Sequence, residues 1–190
     1  MELLNSLVGQ INDILWSYVL IILLIGAGII FTIRTKFVQI RFIKEMIRLI
    51  AGDAGNKMEG QQISSFQAFC VSTASRVGVG NIAGIAIAVV LGGPGAIFWM
   101  WIIAILGSAT GFVESTLAQI YKVPRTDSNG YLGGPAYYIN NALHSPKTAV
   151  FFAILISITY GLIFNSVQSN TISLSLQTAF NFDATMIGIV

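Results

Sequence analysis

The 190-residue chain is 55% hydrophobic and only 9% charged, with a formal net charge of +2. A soluble domain carries about 25% charged residues, so these proportions exclude a water-exposed globular surface and point to lipid as the solvent. The weak net charge and the lack of a basic tract interleaved with aromatics argue against a nucleic-acid partner. One cysteine, Cys70, permits no intrachain disulfide, and with one histidine, His144, a zinc site built within the chain is not expected.

The chain opens on Glu2 rather than a basic stretch, and its first uncharged run, Ile14 to Ile33, covers 20 residues. That length suits a spanning helix rather than a cleaved leader. From Arg34 to Ile50 the residues Phe37, Ile40, Ile43 and Ile47 recur at helical spacing with Arg41, Lys44 and Arg48 between them. This pattern predicts an amphipathic connector, solvated or lying at the interface. The Gly-Asp-Ala-Gly-Asn stretch within 52–60 reads as a loop.

Val77 to Val113 is uncharged over 37 residues, too long for one span. The turn Gly92-Gly93-Pro94-Gly95 divides it, predicting one span from Ser65 to Leu91 and another from Ala96 to Tyr121. Thr148 to Phe182 is a further uncharged run, expected to cross with a tilt, and a new apolar stretch begins at Ala184. The apolar runs are continuous rather than alternating, which disfavours a β-barrel. Alternating these spans places nine of the ten basic residues on one side, in the 34–57 and 122–147 connections. By the excess of Lys and Arg that side is cytoplasmic, and the N-terminus is expected outside.

The informative segment is Ser72-Thr-Ala-Ser-Arg-Val-Gly-Val-Gly-Asn-Ile-Ala-Gly84. Two glycines and an Asn near the centre of a span predict a broken helix at 78–81, with half-helices about 20 Å and 16 Å long. Irregular backbone at that depth is tolerated where protein buries it or a wet cavity meets it. The first half would end in carbonyls suited to a dehydrated sodium ion, candidates being the backbone of Ala74 and Val77. The second would begin with N–H groups suited to a carboxylate, around Val79, Gly80 and Asn81. Three other readings of the glycines exist. Gly78-x-Gly80-x-x-Ala83 matches a dinucleotide fingerprint but lacks the βαβ context. Val77-Gly-Val-Gly80 resembles a potassium filter, which needs a four-fold assembly. Gly80 and Gly84 form a small-residue packing pair, compatible with transport.

Ser65-Phe-Gln-Ala-Phe69, the 72–84 segment, Gly92-Gly-Pro-Gly-Ala-Ile-Phe-Trp-Met-Trp101, Glu114-Ser-Thr-Leu-Ala-Gln119, Gly133-Gly-Pro-Ala-Tyr-Tyr138 and Phe164-Asn-Ser-Val-Gln-Ser-Asn170 resemble the alanine/glycine:cation symporter family over nearly the whole chain. The resemblance implies an all-α membrane protein of the LeuT-type inverted-repeat fold. Residues 1–60 would be an extra N-terminal helix with its basic connector, and 61–190 a partial first repeat, core helices one to three and the start of the fourth. Members of the family usually run to more than twice this length, so the expectation is an N-terminal portion lacking the partner half of the substrate pocket. The implied activity is sodium-coupled (alternatively proton-coupled) symport of small neutral amino acids, with no cofactor. A non-transporting symporter fragment and a channel-type subunit are the alternatives. An enzyme would need a nucleophile–base pair, and the one imidazole lies in a loop.

Asn165 and Gln168 lie three apart on one helical face. Their amides could bond neighbouring helices or, for both residues, contact substrate, and the resemblance implies that Gln168 does. Ser75 sits one turn before Val79, and these are positions where the family often carries other residues, which bears on amino-acid preference. Arg76 and Glu114 are the charged residues inside the spans. Buried charges in lipid pair or function, so an Arg76–Glu114 ion pair near an inner gate is predicted, the alternative being an Arg76 partner on a helix outside this chain.

Overall fold

The computed structural model describes residues 2–52, 63–126, 130–181 and 183, and these are mostly helical. Helix α1 (Glu2–Ile14) runs through a π-helical turn (Leu15–Val19) into α2 (Leu20–Arg34). The resulting span, Asn5–Arg34, has 30 residues, about 45 Å at 1.5 Å per residue. The helix starts earlier than Ile14 because Glu2 and Asp13 end an uncharged run without ending a helix; Leu7, Val8, Ile11 and Ile14 continue its apolar spacing.

At the end of α2 the chain reverses through two consecutive left-handed residues, Lys36 (φ 54°) and Phe37 (φ 56°). Phe37 N–H donates to Thr32 O at 2.8 Å and Lys36 N–H to Ile33 O at 3.1 Å, satisfying carbonyls the helix end leaves open. The connector then forms α3 (Val38–Arg41) and α4 (Ile43–Gly52), helical as its spacing predicted. The expected loop beyond Gly52 falls outside the described residues, as does the apolar stretch from Ala184.

Helix α5 (Ser65–Arg76) begins at a capping box: Gln67 N–H donates to Ser64 Oγ (3.2 Å) and Ser64 N–H to Gln67 Oε1 (3.0 Å). A short 3₁₀ turn (Val79–Asn81) precedes α6 (Ala83–Gly92), and α7 (Pro94–Ile120) follows. The divide falls at Gly93, whose φ of +63° suits glycine, with Pro94 at the first helical position.

The 122–147 connection, expected as loop, contains two elements. Strands β1 (Val123–Pro124) and β2 (Tyr131–Leu132) pair antiparallel, Val123 opposite Leu132 and Pro124 opposite Tyr131. Helix α8 (Pro135–Leu143) then ends at His144 in the left-handed region (φ 52°). The hairpin returns against α7: a Cβ on Gly133 would sit 2.8 Å from Ala118 O. Lys122 Nζ stands 4.6 Å over the Tyr131 ring. The last long helix is α9 (Pro146–Ile158), a π-helical turn (Thr159–Ile163) and α10 (Phe164–Phe180), a 35-residue span.

Fully buried side chains are few because most apolar surface faces outward: Val90 and Leu91 are over 80% exposed. In water that would be untenable; in lipid it costs nothing. The buried cluster joins α2, α3 and α7 through Gly28, Thr32, Val38 and Ala109. A Cβ on Gly28 would lie 2.9 Å from Leu106 Cβ, so the glycine sets how closely α2 and α7 approach. Among the described residues, three helices are long and apolar enough to cross a membrane, or four if the bent pair α5 and α6 forms one span. This chain is a multi-pass membrane protein.

Candidate functional site

The helix predicted to break does break. Ser65–Arg76 and Val79–Gly92 are bent by 80° relative to one another. The cause is local: Val77 (φ −87°, ψ 119°) and Gly78 (φ −142°, ψ 178°) are extended. Neither Gly78 nor Gly80 has a positive φ. The glycines therefore do not supply left-handed backbone here. What Gly78 supplies is room. A Cβ there would stand 3.7 Å from Gln168 Nε2 and 3.8 Å from Phe164 Cε1 on α10.

The hydrogen-bond ladder lapses across these residues. Val77 N–H still reaches Thr73 O (3.2 Å), and bonding resumes with Asn81 N–H to Gly78 O (3.0 Å) and Ile82 N–H to Val79 O (3.1 Å). The carbonyls of Ala74, Ser75, Arg76 and Val77 thus lose their helical donors, and the N–H groups of Val79 and Gly80 open the second half without helical acceptors. One freed carbonyl is taken internally: Asn81 Nδ2 donates to Arg76 O at 2.8 Å. Carbonyls with partial negative charge thus end the first half, and amides with partial positive charge begin the second.

The third long helix forms the opposing wall. Its π-helical turn ends at Ile163, and Phe164 and Gln168 follow one turn apart beside Gly78. Phe164 stacks on Tyr160 (centroids 5.5 Å, 27°). Phe164 was missed as a site residue from sequence; its i, i+4 spacing to Gln168 is the signal that could have found it. Gln168 and Asn165 both lie on α10, three apart as expected; Gln168 meets the break, whereas Asn165 Nδ2 donates back to Gly161 O in the π turn (3.1 Å). Beyond the break, Ala83 and Ile87 on α6 and Thr171, Ser175 and Thr178 on α10 border a cavity of about 530 Å³. Those three hydroxyls bond carbonyls of their own helix.

Ser75 Oγ donates to Ser72 O (3.0 Å) and Arg76 Nη1 to Ser72 Oγ (2.7 Å). The Arg76–Glu114 pair does not form. Among the described residues the ion pair present is the exposed Arg48–Glu45, at 3.6 Å. Arg76 is instead engaged on its own helix, by Ser72. Ser65 and Ala68 of α5 line a pocket with Ala118, Gln119 and Lys122 at the end of α7. Glu114 instead acts on α8, where burial first, and its carboxylate second, raise the Tyr138 phenol above its ordinary value.

Comparison with known proteins agrees with this architecture. The model of the sodium:alanine symporter family matches residues 1–190. The "Probable sodium/glutamine symporter GlnT" of Bacillus subtilis is 55% identical over all of this chain and 39% of its own length. The "Amino-acid carrier protein AlsT" of the same organism is 50% identical over 98% of the chain and 39% of its length. The "Sodium/alanine symporter AgcS" of Methanococcus maripaludis is 37% identical over 97% of the chain and 42% of its length. The chain thus spans about two fifths of the length of these relatives. It belongs to the sodium:alanine symporter family.

Proposed function

We propose that this chain carries the sodium and amino-acid seat of a secondary active transporter that brings small neutral amino acids, alanine or glycine, into the cell with sodium. The observation that carries this reading is the interruption at Val77–Gly78, with carbonyls outside the ladder before it and N–H groups outside the ladder after it. Sodium is held by carbonyl oxygens of the first half, those of Ala74 and Val77 foremost. The substrate carboxylate meets the N–H groups of Val79 and Gly80, and its charge offsets that of the ion. The Gln168 amide faces the gap from α10 and orients the substrate; Ser75 and Asn165 become available to it when their hydroxyl and amide leave their own helix. Asn81, whose N–H and side-chain amide are both engaged, holds the gap open rather than gripping the substrate.

The order of spans, with the second one broken, supports an extra helix followed by core helices one to three of a LeuT-type repeat. The distribution of basic residues supports an external N-terminus. Transport proceeds by alternating access, without covalent chemistry. The test is uptake of labelled alanine and glycine into proteoliposomes under sodium or choline gradients, using this chain alone and continued by its downstream reading frame. Sodium-driven, saturable uptake is expected; uptake indifferent to the sodium gradient overturns the coupling.

A second reading, glutamine as substrate, is favoured by the 55% identity to the protein named a sodium/glutamine symporter. Competition of each labelled substrate by unlabelled glutamine decides between them.

A further inference from the structure

We infer that helix α4, with the corner that leads to it, is a docking surface for anionic phospholipid headgroups. The corner is rigid and leaves the membrane at a defined place. It begins at Arg34, where the first span ends. Val38 is 1% exposed, packed where α3 meets α7, and Gln39 Nε2 donates to Thr32 Oγ1 of α2 at 3.0 Å. A connector held this way is kept at the level of the span's end, which is where headgroups lie.

The helix that follows is built for such a layer. On a 100° wheel Ile43, Met46, Ile47 and Ile50 fall in one arc, and Lys44, Glu45 and Arg48 in the opposite one. The apolar arc is not buried by the protein: Ile43 is 49% and Ile47 62% exposed, and Phe37 and Ile40 just before it are more than half exposed. Residues 34–52 carry five basic side chains against Glu45 alone, a formal charge of +4. The Arg48–Glu45 contact is exposed and therefore screened. An apolar arc flanked by Lys and Arg, next to a span end, lies in the interface with its stems in the acyl boundary and its charges among headgroups. Zwitterionic headgroups offer the apolar half of that match; anionic ones offer both halves. The inference stands independently of what the chain transports.

The experiment places a bimane label at residue 47 by Ile47→Cys in a Cys70→Ser background of the full chain. It is reconstituted in phosphatidylcholine vesicles with and without phosphatidylglycerol, and quenching by acyl-chain spin-labelled lipid is compared with quenching by aqueous iodide. The inference expects lipid quenching that rises when phosphatidylglycerol is added. Lys44→Gln and Arg48→Gln should each lower the docked fraction's ratio about fivefold. Lipid quenching equal in the two vesicle types overturns it, as does a label open to iodide in phosphatidylglycerol vesicles. A label reached by neither quencher also overturns it, and identifies another part of the protein as the cover.

Discussion

Asn81 donates its side-chain amide to the carbonyl oxygen of Arg76, 2.8 Å away, across the gap where the helix comes apart. The bond makes the interruption a constructed feature. An Asn five residues past a helix end reaches back to satisfy a carbonyl that its own chain has abandoned. Replacing it with Ala strips that carbonyl of its donor and should destabilise the local arrangement by about 1–3 kcal/mol. Thermal unfolding of purified protein should show a lower midpoint for Asn81→Ala. Asn81→Asp, which keeps the shape but loses the donor, should fall at least as far; an unchanged midpoint for both would contradict the bond's role.

The two glycines of the break should respond differently to substitution. Gly78 faces Phe164 and Gln168 at ordinary contact distance, whereas a Cβ on Gly80 meets nothing within 4 Å. Gly78→Ala should therefore fold normally, Gly78→Leu should displace Gln168 and abolish amino-acid binding, and Gly80→Ala should change stability by less than about 0.5 kcal/mol. Binding of labelled alanine with thermal unfolding in parallel reads all three. A Gly78→Leu protein that binds like the parent would remove Gln168 from the site.

Arg76 and Glu114 illustrate what charge counting misses. Both sit inside spans, yet Arg76 is bonded to Ser72 and no ion pair joins it to Glu114. A double-mutant cycle with Arg76→Gln and Glu114→Gln, read by thermal unfolding, should give a coupling within about 0.5 kcal/mol of zero. Coupling well beyond that value would restore the pair.

Much of this fold was legible because lipid imposes a simple rule on sequence: uncharged length becomes span. The boundary at Ser65, the division at Gly93 and the break, expected at 78–81 and found at 77–78, all carried residue-level signals, a capping Ser, a Gly-Pro turn and paired glycines. What was not legible depended on partners distant in sequence. The π-helical turn at Thr159–Ile163 lies inside an unbroken apolar run, so nothing local marks it, yet it is what precedes Phe164 and Gln168 where they meet the break. That Gln168 meets the break while the Asn165 amide back-bonds to Gly161 depends likewise on contacts the local sequence does not show. Helix α8 hid in a polar connection because its cover is α7 and α9 rather than its own pattern.

Helix packing outside the site gives a prediction with its own control. Gly28 and Gly26 lie two apart on α2. A Cβ on Gly28 would press on Leu106 at 2.9 Å, while one on Gly26 meets nothing within 4 Å. Gly28→Leu should cost about 1–3 kcal/mol through overpacking, and Gly26→Leu should be close to neutral. Unfolding midpoints of the two variants, compared side by side, test whether α2 and α7 are seated as described.

Hydrogen exchange at the interruption tests most directly whether the ion and the amino acid sit where the ladder lapses. With saturating sodium and alanine, the amides of Val79 and Gly80 should exchange more slowly than in choline without substrate, because ligand atoms replace water as their acceptors. Exchange at residues 77–82 that stays the same with and without ligand, in protein that still takes up alanine, would place the seat elsewhere.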